Sequence, residues 1–193
     1  MAVERQTRNT ERTRRAVLDA ATQLILEKGA AVTLAEVASV AGVSKSGLIH
    51  HFGSRDQLVV AAVEDMFEQF RSSVLAHLDL SENYPGKMLR AYVRALFAGS
   101  TEAVVARDFT AASRWIGLHA IPAVAAVTNE HNAWWSEQFA VDGLGADLIQ
   151  IVRRAAEGVA AAALQGDEDE ASIANARRLL LDLATKGTFS APL

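Results

Sequence analysis

Residues 33–52 read TLAEVASVAGVSKSGLIHHF, and this stretch decides the fold. Thr33 is followed three residues later by Glu36, a capping box in which the threonine hydroxyl accepts from the glutamate amide and the glutamate reaches back to the threonine amide. Val37, Ala38 and Ala41 then give a short helix its apolar face, and Gly42 ends it after about two turns. Ser44 is placed to cap a second short helix over Lys45 to His51. The tight turn Ala41-Gly42-Val43-Ser44 needs a residue at positive φ, which Gly42 supplies. Val37 and Ala38 on the first helix and Leu48 on the second can pack together and fix the crossing. The outer face of the second helix is left free, and a DNA major groove, about 12 Å wide, admits one helix.

Working outward, Val17, Ala20, Ala21, Leu24 and Ile25 recur at helical spacing, which predicts a helix over 13–28 stopped by Gly29. On the other side Gly53 breaks the chain, and Ser54 to Gln57 forms a second capping box. It opens a long helix through Leu58, Val59, Ala62, Val63, Met66, Phe67, Phe70, Val74 and Leu78. After the turn at Tyr84-Pro85-Gly86, helical patterns recur at roughly 87–99, 102–118, 122–140, 145–165 and 169–185. No strand-like alternation of useful length occurs. The expectation is an all-α protein of about nine helices: an N-terminal three-helix domain over 1–54 and a C-terminal helical domain over 55–193.

The polar residues of the head fall where DNA contacts are needed. Thr33 and Ser44 sit at helix starts, where hydroxyls and free amides suit phosphate oxygens. Lys45 and Ser46 lie in the first turn of the second short helix, within reach of base edges, and Gly47 lacks a side chain and permits close approach. His50, His51 and Arg55 can address backbone phosphate, as can Arg12 and Arg14 at the start of the first helix. The two histidines project about 100° apart on a helix and have no third ligand at metal spacing, so no metal is expected. Phe52 reads as a core anchor.

These residues carry a family resemblance. VLDAA at 17–21, EKG at 27–29 and TLAEVASVAGVSKSGLIHHFGSRDQLV at 33–59 resemble the DNA-binding domain of the TetR (tetracycline repressor) family. One departure is Ile49, where the family commonly carries a tyrosine that often contacts phosphate; His50 is the nearest substitute. The resemblance implies a dimeric, sequence-specific transcriptional regulator on a pseudo-palindromic double-stranded operator, most often a repressor released by a small-molecule effector. Two alternatives stay open: a DNA-binding regulator with no small-molecule effector, and an enzyme reusing the fold.

In the body, Phe97, Phe109, Arg114, Trp115, His119, His131, Trp134 and Trp135 stand out. Each reads singly as core packing; as a set they read as bulky apolar walls with a few polar groups, the composition of a ligand pocket. The resemblance implies an effector among the middle helices, roughly 66–140, which adds Met66 and Phe70 and suggests a mostly apolar ligand. The small-residue segment IVRRAAEGVAAAAL at 151–164 permits close helix approach, as an internal helix or as a subunit contact. In the resembled family the last two helices form a four-helix dimer bundle. That implies a homodimer interface through Ala155, Ala156, Val159, Ala160 and Ala163, with Ile173, Leu179, Leu180 and Leu183 from the last helix.

Composition narrows the function classes. Half of the 193 residues are hydrophobic and there is no cysteine, which removes disulfides, thiolate metal sites and cysteine nucleophiles. Neither a signal-peptide pattern nor an apolar run of about 18 residues is found, so a cytoplasmic protein with no membrane partner is expected. The net charge of −4 hides an asymmetry: residues 1–56 carry eight Lys/Arg against six Asp/Glu, the remainder eleven against seventeen. A mildly basic head on an acidic body fits a protein that presents one end to phosphate. No phosphate-binding glycine loop, zinc-protease His-Glu-x-x-His or nucleophile-elbow Gly-x-Ser-x-Gly occurs, so neither catalytic residues nor a cofactor are expected.

Overall fold

The computed structural model describes residues 2–98 and 117–187, and the side chains of these other than 2–9, 164 and 165. Among the described residues there are eight α-helices and no strand. They are α1 (Ala2–Lys28), α2 (Leu34–Ala41), α3 (Lys45–Phe52), α4 (Arg55–Ala76), α5 (Lys87–Leu96), α6 (Pro122–Ala140), α7 (Ala146–Gln165) and α8 (Glu170–Lys186). A single 3-10 turn, Gly29–Ala31, follows α1. The expected helix at 102–118 lies outside the described residues, except for a turn at 117–118. The main departure is α1, which begins at Ala2 rather than near Thr13. Residues 2–16 hold no glycine or proline and are rich in Arg, so helix propensity carries the polar segment where apolar periodicity gives no signal.

The chain divides into two compact units, residues 1–66 with 113–128 and residues 67–112 with 129–193. In the first, α1 packs on α2 and α2 on α3. Val17, Leu18, Ala21 and Ile25 of α1 are buried together with Val37, Ala38, Leu48 and Phe52 and with Leu58, Val59, Ala62 and Val63 of α4. Each large apolar side chain so buried contributes about 1.5–3 kcal/mol. Gly42 stands at φ 67°, ψ 32°, and ends α2 with its own amide and that of Val43 turned back onto Ser39 and Ala38 carbonyls at 3.3 and 3.0 Å. This turn sets the direction in which α3 leaves.

In the second unit α5 is buried on nearly every side, and α5, α7 and α8 pack on one another. The aromatic rings of Phe70, Tyr92, Trp135 and Phe139 fill its centre, with Tyr92 edge-on to Trp135 at 4.9 Å and Trp135 stacked on Phe139 at 5.5 Å. Leu148, Val152, Ala156 and Ala160 recur every four residues along α7 and face this core. The Asp142 carboxylate accepts from the amides of Met88 and Leu89 at 2.8 and 2.9 Å, which fixes the start of α5. Gly86, at φ 90°, is held there too: a Cβ would lie 2.5 Å from the Ala184 carbonyl oxygen and 2.7 Å from Arg90 Nη1.

Candidate functional site

The face presented by α3 is built from local chemistry. Ser44 Oγ accepts from the Gly47 amide at 3.0 Å and lies 3.2 Å from Ser46 Oγ. A Cβ on Gly47 would sit 3.0 Å from Ser44 Oγ, so this glycine also leaves room for the cap. Leu48 and Phe52 are buried, which turns Lys45, Ser46, Ile49, His50 and His51 outward. Lys45 and Ile49 stand one turn apart on the same stripe. The His50 and His51 rings meet edge-on at 5.8 Å.

Before α3, the expected capping box at Thr33 is complete: the Glu36 amide donates to Thr33 Oγ1 at 3.3 Å and the Thr33 amide to Glu36 Oε2 at 3.0 Å. Hydrogen bonds from Lys28 and from Thr33 hold the Glu36 carboxyl down to about 2, so it stays ionised at any physiological pH. Thr33 itself remains exposed.

Arg12 and Arg14 are exposed on α1, and the Arg14 guanidinium lies 5.8 Å from the Phe52 ring centre. Arg15 beside them is tied to Asp65, with Nη1 donating at 2.8 Å, and to Asp19 through Nε at 2.9 Å. Arg55, expected to contact phosphate, is engaged within the chain. Its Nε donates to the Val32 carbonyl at 2.9 Å, Nη2 to the Ala30 carbonyl and Nη1 to Asp56 at 2.8 Å. The carbonyls at the end of the 3-10 turn lack helical donors, and this guanidinium fork supplies them. Arg55 braces the segment that leads into α2.

The residues expected around an effector are divided between the two units. Met66, buried, and His119, exposed, belong to the first unit; Phe70, Phe97, His131, Trp134 and Trp135 belong to the second. Phe109, Arg114 and Trp115 lie outside the described residues. Phe70, His131 and Trp135 are buried, while Phe97 and Trp134 are half-buried. His131 stacks on Phe67 at 3.8 Å and 14°, and its Nε2 accepts from Trp135 Nε1 at 2.9 Å. Arg71, which sequence reasoning missed, sits 5.4 Å from the Trp134 ring centre; its place one turn after Phe67 on α4 is the only sequence signal for it.

The expected dimer residues also divide. Ala156, Ala160 and Leu180 are buried in the second unit's own core, which takes them out of any surface contact. Ala155 and Leu179 are exposed, and Val159, Ala163, Ile173 and Leu183 are half-buried. Ile151, one turn before Ala155 on α7, is 50% exposed and was not among the expected residues. Small-residue spacing marks a helix suited to close packing but not which of its faces turns inward.

The chain matches the family model described as bacterial regulatory proteins, tetR family, over residues 17–62. It matches a second model, described as tetracyclin repressor-like, C-terminal domain, over residues 86–185. Among curated proteins it is similar to the HTH-type transcriptional regulator BetI of Rhizobium meliloti (strain 1021), 34% identical over 85 residues. That alignment spans 44% of this chain and 41% of the relative, less than half the length of either. Among solved structures it is similar to a TetR-like transcriptional regulator from Rhodococcus sp. RHA1, at TM-score 0.67 and 19% identity, covering 93% of this chain and 97% of that one. The multidrug binding protein EbrR, complexed with imidazole, is similar at TM-score 0.60 and 24% identity, covering 88% and 93%. At these identities the likeness to solved structures is one of fold.

Proposed function

Because the chain belongs to the tetR family of bacterial regulatory proteins, we propose that it is a sequence-specific DNA-binding transcriptional regulator. It binds a pseudo-palindromic operator as a homodimer and represses until a mostly apolar small-molecule effector releases it. The observation that carries the reading is the outward face of α3, where Lys45, Ser46, Ile49 and His50 stand exposed over the buried Leu48 and Phe52. An apolar side chain on such a face suits the thymine methyl group, and the lysine suits guanine. Arg12, Arg14, Thr33, Ser44, His50 and His51 are exposed in the same unit and offer groups suited to phosphate.

Lys45→Ala is expected to weaken the preferred site by about 1–3 kcal/mol and to relax base preference there. Fluorescence anisotropy titrations on matched and mismatched duplexes measure both, and unchanged values would remove Lys45 from the readout.

For the homodimer, support comes from apolar groups left on the outer faces of the last two helices. Ile151 is 50% and Leu179 45% exposed, and Ala155 lies between Ile151 and the glycine at 158 on one stripe of α7. Ile151→Glu combined with Leu179→Glu is expected to yield folded monomers in sedimentation velocity; a persisting dimer would place the interface elsewhere. No helix among the described residues is long and apolar enough to cross a membrane.

A further inference from the structure

His131 Nδ1 and Arg71 Nε are among the nitrogen donors of the second unit that are buried without a hydrogen-bond partner among the described residues. They belong to one neighbourhood. His131 is stacked on Phe67, Trp135 donates to its other nitrogen, Trp134 meets Trp135 edge-on at 4.7 Å, and Arg71 lies over Trp134. The Trp135 bond settles the histidine tautomer. Nε2 is the acceptor, so the neutral ring carries its proton on Nδ1 and presents an N–H there. Burial, reinforced by the charges of Arg71 and Arg153, pushes the imidazole down to about 3, so the ring is neutral at physiological pH.

Leaving a buried donor unmet costs about 1–3 kcal/mol, and the great majority of such groups are paired. Here both unmet groups are donors, one of them on a cation. The Arg71 ion pair with Glu68, at 3.3 Å, uses Nη2 and a largely exposed carboxylate, and leaves Nε unaddressed. The other nearby cation, Arg153, already has Glu157 at 2.8 Å. Among the described residues, what these two donors lack is an acceptor, preferably negative, and what surrounds them is aromatic surface. His131 itself is nine-tenths buried, while Arg71 and Trp134 are half-buried and give the cluster its outward side.

We propose that this cluster binds a hydrophobic carboxylate, whose oxygens accept from Arg71 Nε–H and His131 Nδ1–H while its apolar body lies against Phe67 and Trp134. The inference rests on the effector reading above for its regulatory meaning, and it names the chemical class of that effector. Aryl and acyl carboxylic acids share this chemistry, and binding alone separates them.

Isothermal titration of the full chain without DNA tests it, using naphthoate and decanoate as probes beside naphthylmethanol, decanol and naphthylmethylamine. At least one carboxylate is expected to bind about tenfold or more tighter than its own alcohol, the margin that hydrogen bonds to a charged group supply. Arg71→Gln is expected to bring that ratio close to one, and Arg71→Lys to keep part of it. His131→Phe keeps the ring stack and removes the donor; it should weaken the carboxylate severalfold and leave the alcohol unchanged. Thermal melts of each variant establish that it is folded. Failure of both carboxylates to bind, equal affinity for acid and alcohol, tighter binding of the amine, or a ratio that survives Arg71→Gln would each overturn the proposal. DNA binding measured on the same preparations keeps the two claims apart, since loss of carboxylate preference leaves the regulator reading intact, and loss of DNA binding leaves the ligand site intact.

Discussion

Arg90→Ala is expected to destabilise the protein by about 3–5 kcal/mol, the range for removing one partner of a buried charge pair. Arg90 is 1% exposed. Its Nε donates to Glu82 Oε2 at 2.8 Å, and Nη1 donates to the carbonyls of Pro85 and Ala184 at 2.7 and 2.8 Å. The Tyr84 ring lies 4.1 Å from its guanidinium carbon. Truncation leaves the Glu82 carboxylate buried with only Arg94, and strips a cation from the last turn of α8, where the Ala184 carbonyl belongs to the negative end of the helix. Burial pushes the Glu82 carboxyl up, but the hydrogen bonds from Arg94 and Arg90 outweigh it and hold it below its ordinary value. Glu82 therefore contributes stability that is complete above its unfolded-state value and is lost as pH falls through its lowered folded-state value. Without Arg90 the carboxyl rises and protonation relieves it, so the penalty of the variant should be largest at neutral pH and shrink on acidification. Urea unfolding at neutral and mildly acidic pH measures this. A penalty below about 1 kcal/mol, the scale of exposed pairs, would mean that Arg90 is not bearing a buried charge network.

A loss of similar size, about 3–5 kcal/mol, is expected for Trp135→Ala. The indole is fully buried and among the described residues meets five rings, with centres of Trp134, Tyr92, Phe139, Phe70 and His131 at 4.7, 4.9, 5.5, 5.7 and 6.0 Å. Removing it opens a cavity among rings that cannot all relax inward, and it takes the donor from His131 Nε2. Trp135→Phe restores most of the volume and leaves only the missing N–H, so its cost should be markedly smaller. Unfolding followed by circular dichroism, which does not depend on the lost fluorophore, distinguishes the two. Equal losses for Ala and Phe would show that the hydrogen bond, not the packing, dominates at this position.

Features set by neighbouring residues were legible in the sequence. The Thr33–Glu36 box, the Ser44 cap and the Gly42 turn each depend on groups within a few residues, and α2 and α3 stand within a residue of their expected bounds. Phe52 and Leu48 as anchors follow from the same short helix. What escaped is set by partners distant in sequence. Arg55 turns to the carbonyls of residues 30 and 32, which no local pattern connects to it. Arg71 matters through Trp134, more than sixty positions away, and its charge there reads from sequence as one more solvated arginine. The stripe of alanines on α7 signals close packing, yet only the placement of α5 and α8 shows that Ala156 and Ala160 face inward while Ala155 does not. The N-terminal extension of α1 is a further case, since a polar helix has propensity but no apolar phase to reveal it.

The central claim is that the exposed face of α3 reads DNA sequence in a symmetric pair. Selection of binding sites by the purified full chain from a library of randomised duplexes tests it most directly. The account predicts enrichment of an inverted repeat whose half-site centres lie about one helical turn, or 34–36 Å, or a multiple of it, apart. Retention of duplexes without any enriched sequence, or no retention even at low salt, would contradict it.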